Sequence, residues 1–172
     1  LEVVEEICRN TKTEVANENS DEQFVIAGLV ECINHAEKLI KEHFPQRNTS
    51  TIRIPIKVGS HCSLEKGPAK EMAKHLQSED IKKPKNPFIV NATGNYVNSA
   101  EEVRTYLIAQ LTSRVLWRQT IRTMLKSGVR EFYEIGPQNI LTKLTKRIAK
   151  RDGLADEVTA LSTKEILKQK AA

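Results

Sequence analysis

The stretch Val58-Gly59-Ser60-His61-Cys62-Ser63-Leu64-Glu65 places a histidine, a cysteine and two serines where an alternating apolar pattern gives way to a helical one. Loops that follow strands on a rigid scaffold are where reacting side chains are commonly held. An imidazole there takes and returns a proton near neutral pH, so His61 is the first candidate for general acid/base work. The adjacent Cys62 suggests a cysteine nucleophile. Neighbouring residues of an extended backbone point to opposite sides, however, which disfavours a productive Cys62–His61 pair. His35, His43 and His75 fall on helical patterns away from the main apolar stripes, and no chemistry is assigned to them.

Gln110 follows Leu107 by three and Val103 by seven, and so shares the inner face of a helix. It also precedes Thr112-Ser113, in a last turn whose carbonyls lack intrahelical partners. Such a carbonyl can accept the second ring N–H of a histidine and set its tautomer. The plainer reading is a helix-end glutamine facing water. Asn17 and Asn19 flank a strand end close to Gln23. Amides can bond both a carbonyl and an amide, which is what a pantetheine-like arm offers. On their own the three are ordinary turn residues.

The elements that must position these side chains follow from periodicity. Leu1 to Cys8 reads as a helix already under way, without a capping residue, and the chain is expected to be a fragment of a longer protein. Glu14–Asn17 and Gln23–Ala27 read as a hairpin around the turn residues 19–22. Apolar residues at Leu29, Ile33, Ala36, Ile40 and Phe44 predict a helix that Pro45 ends. Ile52, Ile54, Ile56 and Val58 alternate on one face of a strand that Pro55 confines to a sheet edge. Helix, strand, strand, helix, strand is most of a ferredoxin-like unit. Beyond it, a helix is predicted over 68–76 and a buried parallel-sheet strand over Phe88–Asn91. Ser99 with Glu102 makes a capping box before a helix whose inner stripe is Val103, Leu107 and Leu111. A helix over Val115–Lys126, a strand over Glu131–Ile135 and a helix marked by Ile140, Leu141, Leu144 and Ile148 complete an α/β layer. The stretch from Arg151 is polar and weakly patterned.

Composition narrows the partners only a little. The 172 residues carry a net charge of +5, which permits an acidic protein, a phosphorylated ligand or a nucleic acid. Cys8, Cys32 and Cys62 form no C-x-x-C pair, so neither a disulfide framework nor a structural zinc site is expected, and a reducing compartment fits. No apolar run approaches the roughly 20 residues of a membrane helix. No glycines are spaced as G-x-S-x-G, G-x-G-x-x-G or a phosphate loop, so this chain holds no nucleophile elbow and no nucleotide fingerprint of those kinds.

Asn17-Glu18-Asn19-Ser20, Gln23 through Gly28, Ser60-His61-Cys62-Ser63-Leu64, Gln110-Leu111-Thr112-Ser113 through Trp117, and Glu134-Ile135-Gly136-Pro137 with Ile140-Leu141 stand in register from about Val3 to Ala149. Together they resemble the C-terminal portion of the malonyl-CoA:acyl-carrier-protein transacylase family. The resemblance implies part of an α/β-hydrolase-like acyltransferase domain with an inserted ferredoxin-like α+β subdomain. Residues 1–58 would be the incomplete small subdomain, 59–150 part of the large one, and 151–172 a polar tail. The implied reaction moves a malonyl group from CoA to the phosphopantetheine thiol of acyl carrier protein in type II fatty acid synthesis, through a serine acyl-enzyme. His61 would be the general acid/base and Gln110 the residue whose backbone carbonyl orients it. Asn17, Asn19 and Gln23 would line the CoA arm. Arg114, Arg118 and Lys143 are candidates for steering an acidic carrier protein.

The serine, the malonyl-binding arginine and the oxyanion-hole glutamine of the family belong upstream, so the chain alone is expected to be inactive. Glu65 stands where the family usually has methionine, and Asp21 where it usually has proline. Thr49 and Ser50 occupy the place of a basic pair, for which Arg47 or Arg53 would substitute. No cofactor or metal is expected, CoA being a substrate. A monomer in the bacterial cytoplasm, or in a plastid or mitochondrial matrix, is the expected setting. Two other readings stay open: a polyketide-synthase acyltransferase, and a basic α+β nucleic-acid-binding module. The second is disfavoured by scattered basic residues and the lack of stacking aromatics on the strands.

Overall fold

A computed structural model describes residues 1–45 and 50–170. Glu2–Thr11 forms α1, with Glu2 and Glu5 in the first turn where acidic side chains suit the helix dipole. It buries Ile7, Cys8 and Thr11 and ends at Lys12 in the left-handed region. Glu14–Glu18 (β1) and Phe24–Ala27 (β2) then pair antiparallel as expected. The ladder runs Val15 to Ile26 and Asn17 to Val25, so Ala16 is an extra residue, a bulge. That bulge breaks the two-residue alternation of β1, whose Val15, Ala16 and Glu18 are all buried. Val30–His43 is α2, with Ala36 fully buried on its inner face.

The edge strand expected over 51–58 does not form. No described residue pairs with it, and Ile52 is 82 % exposed. An alternating pattern supplies an apolar face, but a strand also needs a neighbouring backbone, and here Ile56 N–H turns back to the Ile54 carbonyl at 2.8 Å. The small unit therefore has only the β1–β2 pair.

Lys66–Ser78 is α3. Phe88–Val90 (β3) was expected in a parallel sheet, but it pairs antiparallel with Asn95–Val97 (β4). Such short apolar runs carry no direction, and the tight turn between them decides. Gly94 in that turn has φ 65°, and a Cβ there would lie 2.6 Å from Gln119 Cγ. Ala100–Ala109 is α4, with both hydrogen bonds of the Ser99–Glu102 capping box formed. Trp117–Lys126 is α5, Glu131–Glu134 is β5 and Ile140–Arg151 is α6.

The expected polar tail is structured. Thr159–Ser162 (β6) pairs in parallel with β5, and Thr163–Lys170 (α7) follows. β5, α6 and β6 thus make a βαβ unit, the connection parallel strands require. Its core is Ile121, Leu125 and Ile148, with Trp117, Met124, Phe132, Leu154 and Val158 packed around them. The two halves meet where Val115 N–H donates to Ala16 O (2.7 Å) and Glu18 N–H to Val115 O (2.8 Å).

Candidate active site

His61 has φ 59°, a left-handed conformation that costs a non-glycine residue free energy and persists only where surrounding contacts hold it. Those contacts are present. His61 Nδ1 lies 2.8 Å from the Gln110 carbonyl oxygen. A carbonyl can only accept, so Nδ1 carries the proton and Nε2 keeps its lone pair for base chemistry. Gln110 caps α4, and its own N–H bonds Tyr106 O at 3.0 Å. Its carbonyl lies past the last helical residue and is available to a tertiary donor.

The chain after His61 is tied down separately. Ser63 donates its N–H to Glu14 Oε1 at 3.0 Å, and its hydroxyl to the same oxygen. Cys62 is 1 % exposed and its thiol donates to Gly59 O at 2.9 Å. Burial pushes the Cys62 thiol above its ordinary value, opposite to what a thiolate nucleophile needs. At Gly59 a Cβ would stand 2.7 Å from Leu64 Cδ1, the end of an exposed side chain that would have to shift to admit it.

His61 opens on a cleft of ≈ 580 Å³. Glu5, Glu14, Val15, Thr112, Ser113 and Arg114 are among the residues that line it. Among the described residues no group of three His, Cys, Asp or Glu side chains is arranged to hold a metal. No described helix is long and apolar enough to cross a membrane.

The structure brings His61 and Gln110 together, places Arg114 on the same cleft and leaves the other candidates apart. Asn17, opposite Val25, is half-buried at the bridge to Val115. Asn19 is half-buried, with its N–H on Gln23 O at 3.0 Å. Gln23 is exposed and its Oε1 accepts from Arg147 Nη1 at 3.0 Å. None of the three lines the His61 cleft. Arg114 and Arg118 already hold carboxylates: Arg114 bonds Glu5 and Glu18, and Arg118 bonds Glu18 and Asp21, each at 2.9 Å. Lys143 is exposed on α6. Arg53 pairs with Glu37 at 2.8 Å and also bonds Asn34, while Arg47 and Thr49 lie outside the described residues. Glu65 is half-buried in the short 3-10 turn Ser63–Glu65. Asp21 is no mere turn variant, since it also accepts from Arg122 at 2.9 Å.

Sequence reasoning missed Glu14 and the buried Glu18. Local alternation carried no sign of either, because the bulge at Ala16 re-aims the strand. The one available signal was Glu18 itself, an acid between two amides on a strand.

No family model matches the chain. It is similar to the malonyl CoA-acyl carrier protein transacylase of Escherichia coli K12, with 33 % identity over 144 residues, covering 84 % of this chain and 46 % of that protein. The crystal structure of an acyl carrier protein S-malonyltransferase from Vibrio cholerae superposes with a TM-score of 0.84 at 31 % identity, covering 94 % of this chain and 51 % of the other. A type II PKS acyl-carrier protein in complex with its malonyl-transacylase offers a further neighbour, with TM-score 0.84 and 29 % identity over 95 % of this chain and 51 % of that one. The chain spans about half the length of the curated relatives it matches.

Proposed function

We propose that this chain is the acid/base portion of a malonyl-CoA:acyl-carrier-protein transacylase, a cytoplasmic acyltransferase acting in fatty acid biosynthesis. The observation that carries the reading is the His61 Nδ1 contact to the Gln110 carbonyl at 2.8 Å, made by a histidine in the left-handed conformation. It supports His61 as the general acid/base and Gln110 as its orienter.

In the proposed reaction a serine outside this chain attacks the malonyl thioester of CoA. His61 Nε2 takes the serine proton as the C–O bond forms, and delivers it to the CoA sulfur as the C–S bond breaks. The phosphopantetheine thiol of acyl carrier protein then attacks the malonyl ester. His61 takes the thiol proton and returns it to the serine oxygen. No cofactor enters either step.

Asn17, Asn19 and Gln23 would meet the CoA arm beside the cleft. Arg114 and Arg118 have internal carboxylate partners, so of the three steering candidates Lys143 is the best placed to attract an acidic carrier protein. The order α1, β1, β2, α2 fits a ferredoxin-like subdomain inserted in an α/β-hydrolase-like domain, with boundaries near 58 and 150. β6 then belongs with the large part and not with a tail. A polyketide-synthase acyltransferase is kept as the second reading, on the 32 % identity over 136 residues to a protein named for polyketide biosynthesis.

The test is transfer of radiolabelled malonyl groups from CoA to acyl carrier protein, with the serine-bearing portion present. His61→Ala should lower transfer at least about a thousandfold, the scale of losing a positioned general base. Full activity in that variant overturns the assignment. Transfer of methylmalonyl in preference to malonyl would favour the second reading.

A further inference from the structure

Seven charged side chains form one unbroken ladder of alternating sign: Glu5, Arg114, Glu18, Arg118, Asp21, Arg122 and Asp152. Every link from Glu5 to Asp21 is 2.9 Å long, and Arg122 closes the outer end on Asp21 (2.9 Å) and Asp152 (2.6 Å). Isolated exposed ion pairs contribute little, but this ladder is mostly shielded, and the Glu18 side chain is only 9 % exposed. A carboxylate so buried is retained only with its partner charges in place.

The inner end of the ladder is at the active-site candidate. Arg114 and Glu5 line the His61 cleft. Arg114 lies four residues beyond Gln110, in the segment that joins α4 to α5. Glu18 stands between Asn17 and Asn19, at the end of β1. The backbone bonds between Val115 and both Ala16 and Glu18 join that segment to β1 at the same place.

We propose that Arg114 and Glu18 are positioning residues for the acid/base site. Their ion pair locks the segment after Gln110 against the strand carrying Asn17 and Asn19. Through the Gln110 carbonyl it holds His61 in the tautomer with the proton on Nδ1. The proposal rests on His61 being the acid/base group. Arg118, Asp21, Arg122 and Asp152 brace the pair from outside, and tie it to α5 and the end of α6.

The test reads the imidazole directly. The full chain is labelled with nitrogen-15 and the His61 ring nitrogens are followed by long-range proton–nitrogen correlation at a pH where the ring is neutral. The unaltered chain should show the Nδ1–H form in excess. Arg114→Met and Glu18→Gln should each move the tautomer ratio toward Nε2–H by about fivefold, the factor expected when one ordinary hydrogen bond is lost. Arg114→Lys keeps the charge opposite Glu18 and should recover part of that change. Arg122→Met breaks the outer end of the same ladder and should lower the melting temperature without moving the ratio.

An unaltered chain lacking the Nδ1–H excess overturns the proposal. So does a ratio unmoved by Arg114→Met and Glu18→Gln in folded protein, or moved as much by Arg122→Met. If Glu18→Gln does not fold, the paired change Arg114→Met with Glu18→Leu removes both charges of the pair, leaves the half-exposed Glu5 to solvent and Arg118 on Asp21, and is read the same way. The transfer assay with His61→Ala stands apart. Its failure would remove the reaction and leave the tautomer result intact, and an unmoved tautomer would leave the reaction intact.

Discussion

His61 sits in a backbone conformation that disfavours side chains, and three neighbours share the work of holding it. Gln110 holds the ring, Cys62 anchors to Gly59, and Glu14 grips both donors of Ser63. Glu14 is the member whose removal separates position from folding, because it is exposed and fills no core space. Glu14→Ala should lower transfer turnover about tenfold, the loss of roughly one charge-assisted hydrogen bond, with the affinity for CoA unchanged. Measuring kcat and KM separately checks this, and an unchanged kcat would mean that the loop holds itself. Gln110 was visible because it sits at the end of α4, where local pattern says what its carbonyl lacks, whereas His61 was picked out as an imidazole in a loop after a strand that does not form. Glu14 acts across 49 residues of sequence, and no local pattern reports a contact of that kind.

At the scale of elements, the long helices and the β1–β2 hairpin were legible, and the other strand pairings were not. α2, α5 and α6 announce themselves by apolar residues three and four apart. In β6 only Ala160 and Leu161 are apolar, side by side, so Thr159–Ser162 shows no alternation, yet it is the parallel partner of β5. The opposite error at 51–58 has the same root, since pairing is decided by a neighbour that a local pattern does not contain. What fixes the βαβ unit is Glu134, at the end of β5. Its carboxylate accepts from Leu141 N–H (3.2 Å), Thr142 N–H (2.8 Å) and the Thr142 hydroxyl (2.6 Å), in the first turn of α6. Desolvation alone would raise its pKa, but these bonds outweigh it and hold the group below its ordinary value of 4.5. A group depressed on folding contributes stability above its unfolded pKa and loses it as pH falls through the folded one. Glu134→Gln should therefore cost about 1–2 kcal/mol at neutral pH. The gap in melting temperature from the unaltered chain should be constant from about pH 6 to 8 and close below about pH 4. A gap that persists at low pH would show that shape, not charge, is what Glu134 provides.

The whole molecule exposes more surface than its mass predicts. A folded chain of 19.4 kDa ordinarily exposes about 8,500 Å², and this one exposes 11733 Å². The excess, about 3,000 Å², is on the scale of a permanent interface. Exposed apolar side chains contribute to it at several places along the chain. Ile52, Ile56 and Val58 are 82 %, 60 % and 63 % exposed, and Ile135 beside β5 is 81 % exposed. β5 and β6 form a sheet of two parallel strands, an arrangement normally covered on both faces. On the proposed reading the occupant of this surface would be a serine-bearing portion, since the chain spans 46 % of the Escherichia coli protein it resembles and His61, as a proposed acid/base group, would need a nucleophile within reach. The chain by itself should bind an apolar dye such as ANS strongly. Adding the serine-bearing portion should quench that signal and slow amide exchange over 51–58. Burying an isoleucine side chain contributes about 1.5–3 kcal/mol, so Ile52→Asp with Ile56→Asp should weaken the association at least about a hundredfold. The same pair should leave the His61–Gln110 contact in place, because neither side chain takes part in it. If transfer activity returns while the dye stays bound and 51–58 exchanges as before, the nucleophile docks on another face, and the exposed apolar side chains serve a different partner.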